Sequence, residues 1–235
     1  MLRSNKENMT TKENESVKKF SGKGITGLAN LGNTCFMNSA LACLSHTYEL
    51  NKFLSKESYK KNLNNKPESL ILCEWDNLRK LIWSENCTIS PGGFVGAIQK
   101  VARIKDRVIF TGFAQNDMTE FLQFVTECFH NSICREVEMT IQGSALTDTD
   151  KLAQCCYGMM KNMYKKEYSE FLNMFFGIHV STVQSLESNY SNITPEPFFN
   201  LHIPLTPEGT LEKSIELYTS IEKLDGDNCI YNENT

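Results

Sequence analysis

The sequence predicts an α+β protein on three observations: helical patterns come first, strand patterns come later, and no internal repeat relates them. Apolar residues recur every three or four positions over the first three quarters of the chain, which is the spacing of amphipathic helices. After about residue 174 the pattern becomes one of β-branched and aromatic residues that alternate or run together, which is typical of strands. Helices followed by strands favour the α+β class.

Each element can be placed from its own pattern. The helical segments are expected at about 35–48, 69–83, 95–102, 116–134, 151–173 and 210–222. The strand segments are expected at about 175–185 and 197–205. Both are rich in β-branched and aromatic side chains, so we expect them to pair with each other.

The composition is that of a folded protein with a sizeable core. The chain has 235 residues, of which 40% are apolar and 22% are charged, and its formal net charge is −4. Residues 1–23 are polar and predict a flexible tail. The acidic balance argues against a nucleic-acid partner, and the absence of a run of about 18 apolar residues argues against a membrane span. Because the first residues also lack the apolar core of a signal peptide, we expect an intracellular protein, in the cytoplasm or the nucleus.

The cysteines predict reduced thiols. There are nine, an odd number, and no CxxC pair occurs among them. In a reducing compartment such cysteines are free thiols, metal ligands or catalytic groups. Zinc and a disulfide framework both lose support from this spacing, and we expect neither a metal nor a cofactor.

Cys35 differs from the other cysteines in its position. It follows Gly32, Asn33 and Thr34 and opens a helical pattern, so its sulfur is expected beside the unpaired N–H groups of a first helical turn. The positive end of the helix dipole favours a thiolate there. Free cysteines are more often small apolar core residues, and that interpretation suits the remaining eight, for example Cys43 and Cys128.

The segment around this cysteine resembles a known family. Residues 27–41, GLANLGNTCFMNSAL, are similar without gaps to the cysteine box of the ubiquitin-specific proteases. The resemblance implies that Cys35 is the nucleophile that attacks the carbonyl after the C-terminal glycine of ubiquitin. It also implies that Asn30 donates an amide hydrogen bond to the oxyanion, a contribution of about 2.7–4 kcal/mol in comparable sites. Without the resemblance, Asn30 would be interpreted as a turn residue.

A second segment, residues 115–122, resembles the family signature Gln-Gln-Asp-Ala-x-Glu-Phe-Leu, with Asn116 in place of the second Gln. In the family this helix start borders the groove for the extended tail of ubiquitin. The resemblance therefore implies that Gln115, Asp117 and Glu120 bind substrate. The alternative for the two carboxylates is structural, because they stand three residues apart at a helix start, which is the spacing of a capping box.

Three further segments, 176–183, 196–205 and 224–228, resemble the fingers subdomain of the family. Many members hold zinc there with two CxxC pairs. Here serines occupy the first pair of positions, Ser185 and Ser188, and Asn232 and Thr235 occupy the second, so we expect metal-free fingers. The resemblance implies a papain-like fold with a helical thumb at about 24–173, β fingers at about 174–235 and an incomplete palm.

A catalytic base is the part of the family pattern that the sequence does not supply. The four histidines are His46, His130, His179 and His202, and none has the Gly-His-Tyr context of the family's catalytic histidine. His46 stands eleven residues beyond Cys35, or roughly 16 Å along a helix axis. A cysteine nucleophile needs such a base.

These observations leave three interpretations. The first is a thiol-dependent deubiquitinase that acts on ubiquitin or ubiquitinated proteins and takes its base from outside this chain. The second is a non-catalytic ubiquitin-binding pseudoprotease or regulatory module, and the third is an unrelated helical interaction protein. The expected strand edges and uncovered apolar faces also predict poor solubility or a need for a partner.

Overall fold

The computed structural model describes residues 21–207 and 209–229, which fall into two compact units, one up to Pro197 and one from Phe198. The predicted tail, 1–23, lies outside the described residues except for its last three. Within the described part of the chain, no helix is both long and apolar enough to cross a bilayer.

The first unit contains seven α-helices among the described residues, and they account for most of the predicted helical segments. They are α1 (Cys35–Ser45), α2 (Tyr48–Ser55), α3 (Ser69–Ile82), α4 (Gly92–Ile104), α5 (Met118–Ile133), α6 (Asp148–Lys166) and α7 (Glu170–Phe175). Short 3₁₀ turns follow α2 at Ser58–Lys61 and α4 at Val108–Phe110. The second unit contains α8 (Leu211–Tyr218) and a 3₁₀ turn at Gly226–Asn228.

Over the residues that the structure describes, four strands form two small sheets. Strands β1 (Gly27–Leu28) and β2 (Thr88–Ile89) pair in parallel, with Gly27 opposite Thr88 and Leu28 opposite Ile89. Strands β3 (Gly177–Gln184) and β4 (Ser191–Phe198) are hydrogen-bonded neighbours joined by six residues. So short a link requires a hairpin, and it is closed by the amide of Ser185, which donates to the carbonyl of Tyr190 over 2.9 Å.

The apolar core lies among the helices of the first unit. Trp75 of α3 is at its centre, with its ring centroid 6.1 Å from those of Phe94 on α4 and Phe129 on α5. These are the residues that the helical spacing places on one face of each helix. The core also contains the buried rings of Phe36, Phe110 and Phe121, and it holds α1, α3, α4 and α5 in one helical body.

Several boundaries differ from the sequence-based expectation. The helix expected over 151–173 is two helices, because Tyr168 and Arg135 exchange backbone hydrogen bonds of 2.8 and 2.9 Å across the interruption. The strand expected at 197–205 lies earlier, at Ser191–Phe198, because the hairpin loop sets its register. Prolines within it suit a strand at a sheet edge.

The polar segment between α2 and α3 contains a buried side chain that the sequence did not predict. Tyr59 is only 2% exposed and its hydroxyl donates to Asp76 Oδ2 over 3.0 Å. Asp76, itself buried, also pairs with Arg79 at 2.7 Å and Lys80 at 2.9 Å. This polar group ties the connection to α3.

Candidate functional site

The candidate site lies in the loop between strand β1, which pairs with β2, and the start of α1. The amide of Ala29 donates to the carbonyl of Ile89 over 2.9 Å, and the side-chain amide of Asn38 on α1 donates to the carbonyls of Leu28 and Ala29 over 3.1 and 3.3 Å. The loop that follows is thus anchored on a strand at one side and on α1 at the other.

Cys35 is the first residue of α1 and is exposed, as expected for a nucleophile that must meet a substrate. The chain reaches it through Gly32 and Asn33, whose φ values of 106° and 53° lie in the left-handed region. Glycine adopts such angles freely and asparagine more readily than most other residues. The sequence GN before Thr34 therefore suits the sharp entry into the helix.

Asn30 is part of this loop, as the turn interpretation expects. Its side-chain oxygen accepts hydrogen bonds from the amides of Gly32 at 3.1 Å and Thr34 at 3.0 Å, and from the hydroxyl of Thr34 at 3.1 Å. Its side chain is exposed, and the amide nitrogen takes no part in these three bonds. The turn role uses the oxygen, so it leaves the nitrogen for the donor role that the resemblance implies.

The second motif is joined to the first by two contacts. The side-chain amide of Asn33 donates to the carbonyl of Phe113 over 3.1 Å. The rings of Phe36 on α1 and Phe121 on α5 meet edge to face with centroids 5.4 Å apart. Residues some 80 positions apart are thereby placed at one end of the helical body, with Cys35 and the start of α5 as neighbours.

The predicted binding residues lie at this helix start. Gln115, Asp117 and Glu120 are all exposed. Asp117 is the N-cap of α5, and its Oδ1 accepts from the amide of Glu120 over 2.9 Å, so the capping role is confirmed. The side chain of Glu120 lines a cavity of about 120 Å³ together with Arg107 and Gln123. The substituted residue, Asn116, holds the turn by donating to the carbonyls of Ile109 and Ala114.

Two of the histidines have identified partners. His46 follows the C-terminal end of α1, and its Nδ1 lies 2.8 Å from the carbonyl of Ala42. His130, on α5, has its Nδ1 2.7 Å from the hydroxyl of Ser169. Burial lowers the pKa of His130, although the carboxylate of Glu167 opposes this effect. Since α1 separates His46 from Cys35, the expectation that His46 is not the base agrees with the helix bounds.

Among the other cysteines, the core interpretation is right for one example and wrong for the other. Cys128 is buried in α5, and burial raises the pKa of its thiol to about 12. Cys43 is exposed and lies on the outer face of α1, whose inner face is formed by Ala40, Leu41 and Leu44. Cys87, Cys155 and Cys229 are exposed as well, which corrects the expectation that these cysteines pack in the core.

At the two fingers positions that the structure describes, the side chains are serines and offer no thiolate or imidazole to a metal. Ser185 Oγ accepts from the amides of Glu187 at 3.2 Å and Ser188 at 3.1 Å, as a hairpin-loop residue does. The other two positions, Asn232 and Thr235, lie outside the described residues. Over 21–207 and 209–229, no three His, Cys, Asp or Glu side chains cluster in a way that could hold a metal.

The site contains two features that sequence reasoning missed, the hydroxyl of Thr34 and the link from Asn33 to Phe113. A threonine before a helix signals an N-cap, yet here the hydroxyl makes no cap bond and turns back into the loop. No local signal predicts a bond between side chain and backbone across 80 positions.

An exposed cysteine that opens a helix in an α+β fold is the arrangement of the papain-like thiol hydrolases. The model of the family described as ubiquitin carboxyl-terminal hydrolase matches residues 26–212. The chain therefore belongs to the ubiquitin carboxyl-terminal hydrolase family. This assignment excludes the unrelated helical interaction protein.

The curated relatives agree with this assignment. Ubiquitin carboxyl-terminal hydrolase 2 of Bos taurus is 32% identical over 225 residues, covering 91% of this chain and 36% of the relative. Usp2 of Drosophila melanogaster is 30% identical over 210 residues, covering 87% of this chain and 21% of the relative. The chain thus spans about a third or less of the length of these relatives.

Solved structures confirm the fold. The SAGA Ubp8/Sgf11/Sus1/Sgf73 DUB module bound to ubiquitin aldehyde is similar over 90% of this chain and 42% of that one, with 21% identity and a TM-score of 0.61. A second structure of the same module covers 88% and 42%, with 19% identity and a TM-score of 0.54. The predicted α+β, papain-like ubiquitin-specific protease fold is confirmed.

Proposed function

We propose that this chain carries the nucleophile half of a thiol-dependent deubiquitinase, with Cys35 attacking the carbonyl after the C-terminal glycine of ubiquitin. The observation that carries the proposal is the exposed sulfur at the first residue of α1, directly after the loop of Asn30. Membership of the family supports it. The activity of the whole protein is part of the proposal, because the chain spans about a third of its curated relatives.

In the proposed reaction, the Cys35 thiolate adds to the carbonyl carbon of the (iso)peptide bond. The carbonyl electron pair moves to oxygen, and the oxyanion accepts a hydrogen bond from the side-chain nitrogen of Asn30. Collapse expels the amine, which takes a proton from a protonated histidine, and leaves a thioester on Cys35. Water then hydrolyses the thioester with the neutral histidine as base. The proposal assigns this role to none of the four histidines of the chain.

The proposed substrate contact is made by the exposed start of α5. Asp117 and Glu120 place two carboxylates there, and Gln115 adds an amide next to them. Carboxylates can pair with basic residues of an extended protein tail, and both amide and carboxylate groups can bond its backbone. The proximity of this helix start to the loop before Cys35 supports one continuous track for the ubiquitin tail.

A second candidate is a non-catalytic ubiquitin-binding module. The observation that favours it is the placement of the two histidines discussed above, whose ring nitrogens bond within their own helix, at Ala42, or to Ser169. A chain that lacks a base near the sulfur could bind ubiquitin without turning over. The two candidates differ in whether Cys35 reacts with the C-terminus of ubiquitin, not in binding.

Two ubiquitin reagents separate the candidates on the full 235-residue chain. A ubiquitin with an electrophilic C-terminus tests whether Cys35 is placed for attack, and a fluorogenic ubiquitin substrate tests turnover. The variant is Cys35→Ala, and the matched control is Cys43→Ala, because Cys43 is an exposed cysteine on the same helix. We expect covalent labelling of the unmodified chain and of Cys43→Ala, and none of Cys35→Ala.

The outcomes decide between the two candidates. Labelling that disappears only in Cys35→Ala supports the enzyme, and turnover is required only if the base lies within this chain. Ubiquitin binding without labelling or turnover supports the module. Labelling that persists in Cys35→Ala overturns the assignment of the nucleophile.

A further inference from the structure

The orientation of the Asn30 side-chain amide decides whether it can serve an oxyanion, because only its nitrogen can donate. The two ends of an amide are similar in shape, so the groups around it must select one orientation. Here the oxygen faces two backbone amides, those of Gly32 and Thr34, at 3.1 and 3.0 Å. Backbone N–H groups cannot become acceptors. A flipped amide would therefore place donors against donors.

The hydroxyl of Thr34 completes this arrangement. It donates to Asn30 Oδ1 over 3.1 Å and accepts from the amide of Leu31 over 3.0 Å. Because the Leu31 amide is already its donor, the hydroxyl proton is directed toward Asn30. Thr34 is 2% exposed, so water cannot readily replace this bond.

The hydroxyl of Thr34 does not make the hydrogen bond that is usual for an N-cap threonine. Thr34 precedes α1 but makes no side-chain bond to the first turn of the helix. An N-cap side chain ordinarily accepts a hydrogen bond from the amide of the second or third helical residue. The Thr34 hydroxyl does not make this bond to the first turn of α1 and instead holds the preceding loop.

We infer that Thr34 is a positioning residue that holds the Asn30 amide with its nitrogen free to donate to the oxyanion formed at Cys35. The inference rests on the proposed function. It deepens that function by assigning to a buried hydroxyl, which itself contacts no substrate, a share with the two backbone amides in holding the donor.

The test compares two ubiquitin reagents that differ at the reacting carbon. Ubiquitin aldehyde accepts the Cys35 sulfur at a carbonyl carbon, whose electron pair moves to oxygen and is then protonated to give a hemithioacetal. Ubiquitin ending in a propargylamide accepts the sulfur at an alkyne carbon, which takes up a proton to give a vinyl thioether, and no oxyanion forms at the reacting carbon. A lost oxyanion donor therefore weakens the first reaction and spares the second.

The variants are Thr34→Val, which keeps the branched shape and removes the hydroxyl, and Thr34→Ser, which restores the hydroxyl. For Thr34→Val we expect the affinity for ubiquitin aldehyde to fall about tenfold or more, up to the roughly 100-fold loss typical of removing a donor. We expect the propargylamide labelling rate to stay within about twofold, and Thr34→Ser to restore the aldehyde affinity. Unchanged labelling also shows that the variant is folded.

A double-mutant cycle with Asn30→Ala identifies the route of the effect. If Thr34 acts through Asn30, Thr34→Val has no further effect on aldehyde affinity once Asn30 is removed. Equal losses for both reagents, or an additive effect in the double variant, overturn the positioning role and leave the proposed function standing. If the unmodified chain reacts with neither reagent, the proposed function fails and this inference fails with it.

Discussion

At the scale of single residues, the carboxylate of Asp76 shows how a charged group is stabilised in the core. It is 1% exposed and accepts from the Tyr59 hydroxyl while it pairs with Arg79 and Lys80. A buried charge is tolerated only when its neighbours replace the water that it has lost. The polar connection after α2 is held to the core by this group.

We expect Asp76→Ala to lower the free energy of unfolding by about 3–5 kcal/mol, because it leaves the buried Arg79 without its partner. Urea unfolding followed by circular dichroism measures this loss. The control is Lys151→Ala, which breaks an exposed pair with Asp148 and should cost less than about 1 kcal/mol. A loss for Asp76→Ala as small as that of the control would contradict the importance of burial.

The residue scale also shows where sequence reasoning succeeds. The position of Cys35 at the start of a helix followed from the apolar spacing after it and the Gly-Asn-Thr before it. The turn role of Asn30 and the donor role implied by the resemblance were alternatives in the sequence. In the structure they use different atoms of one side chain, so they do not exclude each other.

At the scale of elements, the start of α5 combines a capping role with a proposed binding role. Asp117 accepts from the amide of Glu120, and this bond stabilises the helix that borders the site. Asparagine can accept the same bond but carries no charge. The two roles can therefore be separated by substitution.

We expect Asp117→Ala to lower the free energy of unfolding by about 1 kcal/mol, and Asp117→Asn to keep most of that stability. If Asp117 also binds the ubiquitin tail through its charge, Asp117→Asn should still weaken ubiquitin binding. Urea unfolding and binding of labelled ubiquitin measure the two effects. Wild-type affinity in Asp117→Asn would leave capping as the role of this residue.

A second element-scale feature is the contact between α5 and the start of α7, made by His130 and Ser169. Burial lowers the pKa of His130 below its ordinary value, against the attraction of Glu167. The folded state therefore binds this proton less readily than the unfolded state does. Stability is complete above the unfolded value, near 6.5, and is lost as the pH falls below it toward the folded value.

We expect the free energy of unfolding, and with it the melting temperature, to fall between pH 7.5 and pH 5.5. This group contributes at most about 1.4 kcal/mol per pH unit to the fall in free energy. His130→Gln should flatten the profile because it removes the titrating ring. The matched control is His46→Gln, which removes an exposed histidine ring outside this contact. A profile that His130→Gln leaves unchanged would refute this account. Thermal unfolding at several pH values is the measurement.

The elements also show the limits of local pattern. The helices α3, α4 and α5 were predicted, α4 in a shorter form, because a helix that packs on one side repeats its apolar residues with the helical period. The interruption between α6 and α7 was not predicted. It depends on backbone bonds between Tyr168 and Arg135, which are 33 positions apart, and no local spacing indicates such a partner.

At the scale of the whole molecule, buried apolar residues are concentrated in the helical body. The core cluster draws on segments from Phe36 to Phe171. In contrast, neither β3 nor β4 contains a buried residue, and α8 carries exposed Leu211 and Leu217. Regions with few buried contacts open at a low free-energy cost.

We expect limited trypsin digestion to cleave at Lys213 and Lys223 before it cleaves at Arg79 or Lys105. The first two are exposed in the second unit, whereas Arg79 is buried in α3 and Lys105, which is partly buried, pairs with Glu68 at 2.6 Å. Mass spectrometry of the timed digest identifies the order. The reverse order would show that the second unit is the more protected one.

The sequence by itself determined the α+β class, the main helices, the family and the position of Cys35, because these depend on local spacing and on a gapless motif. Only the tertiary structure decided the burial of Tyr59 and Asp76 and the meeting of the two motifs through Asn33 and Phe113. The physical reason is that a hydrogen bond or a buried charge requires a partner at about 3 Å. For the contacts that join distant segments, folding alone supplies that partner.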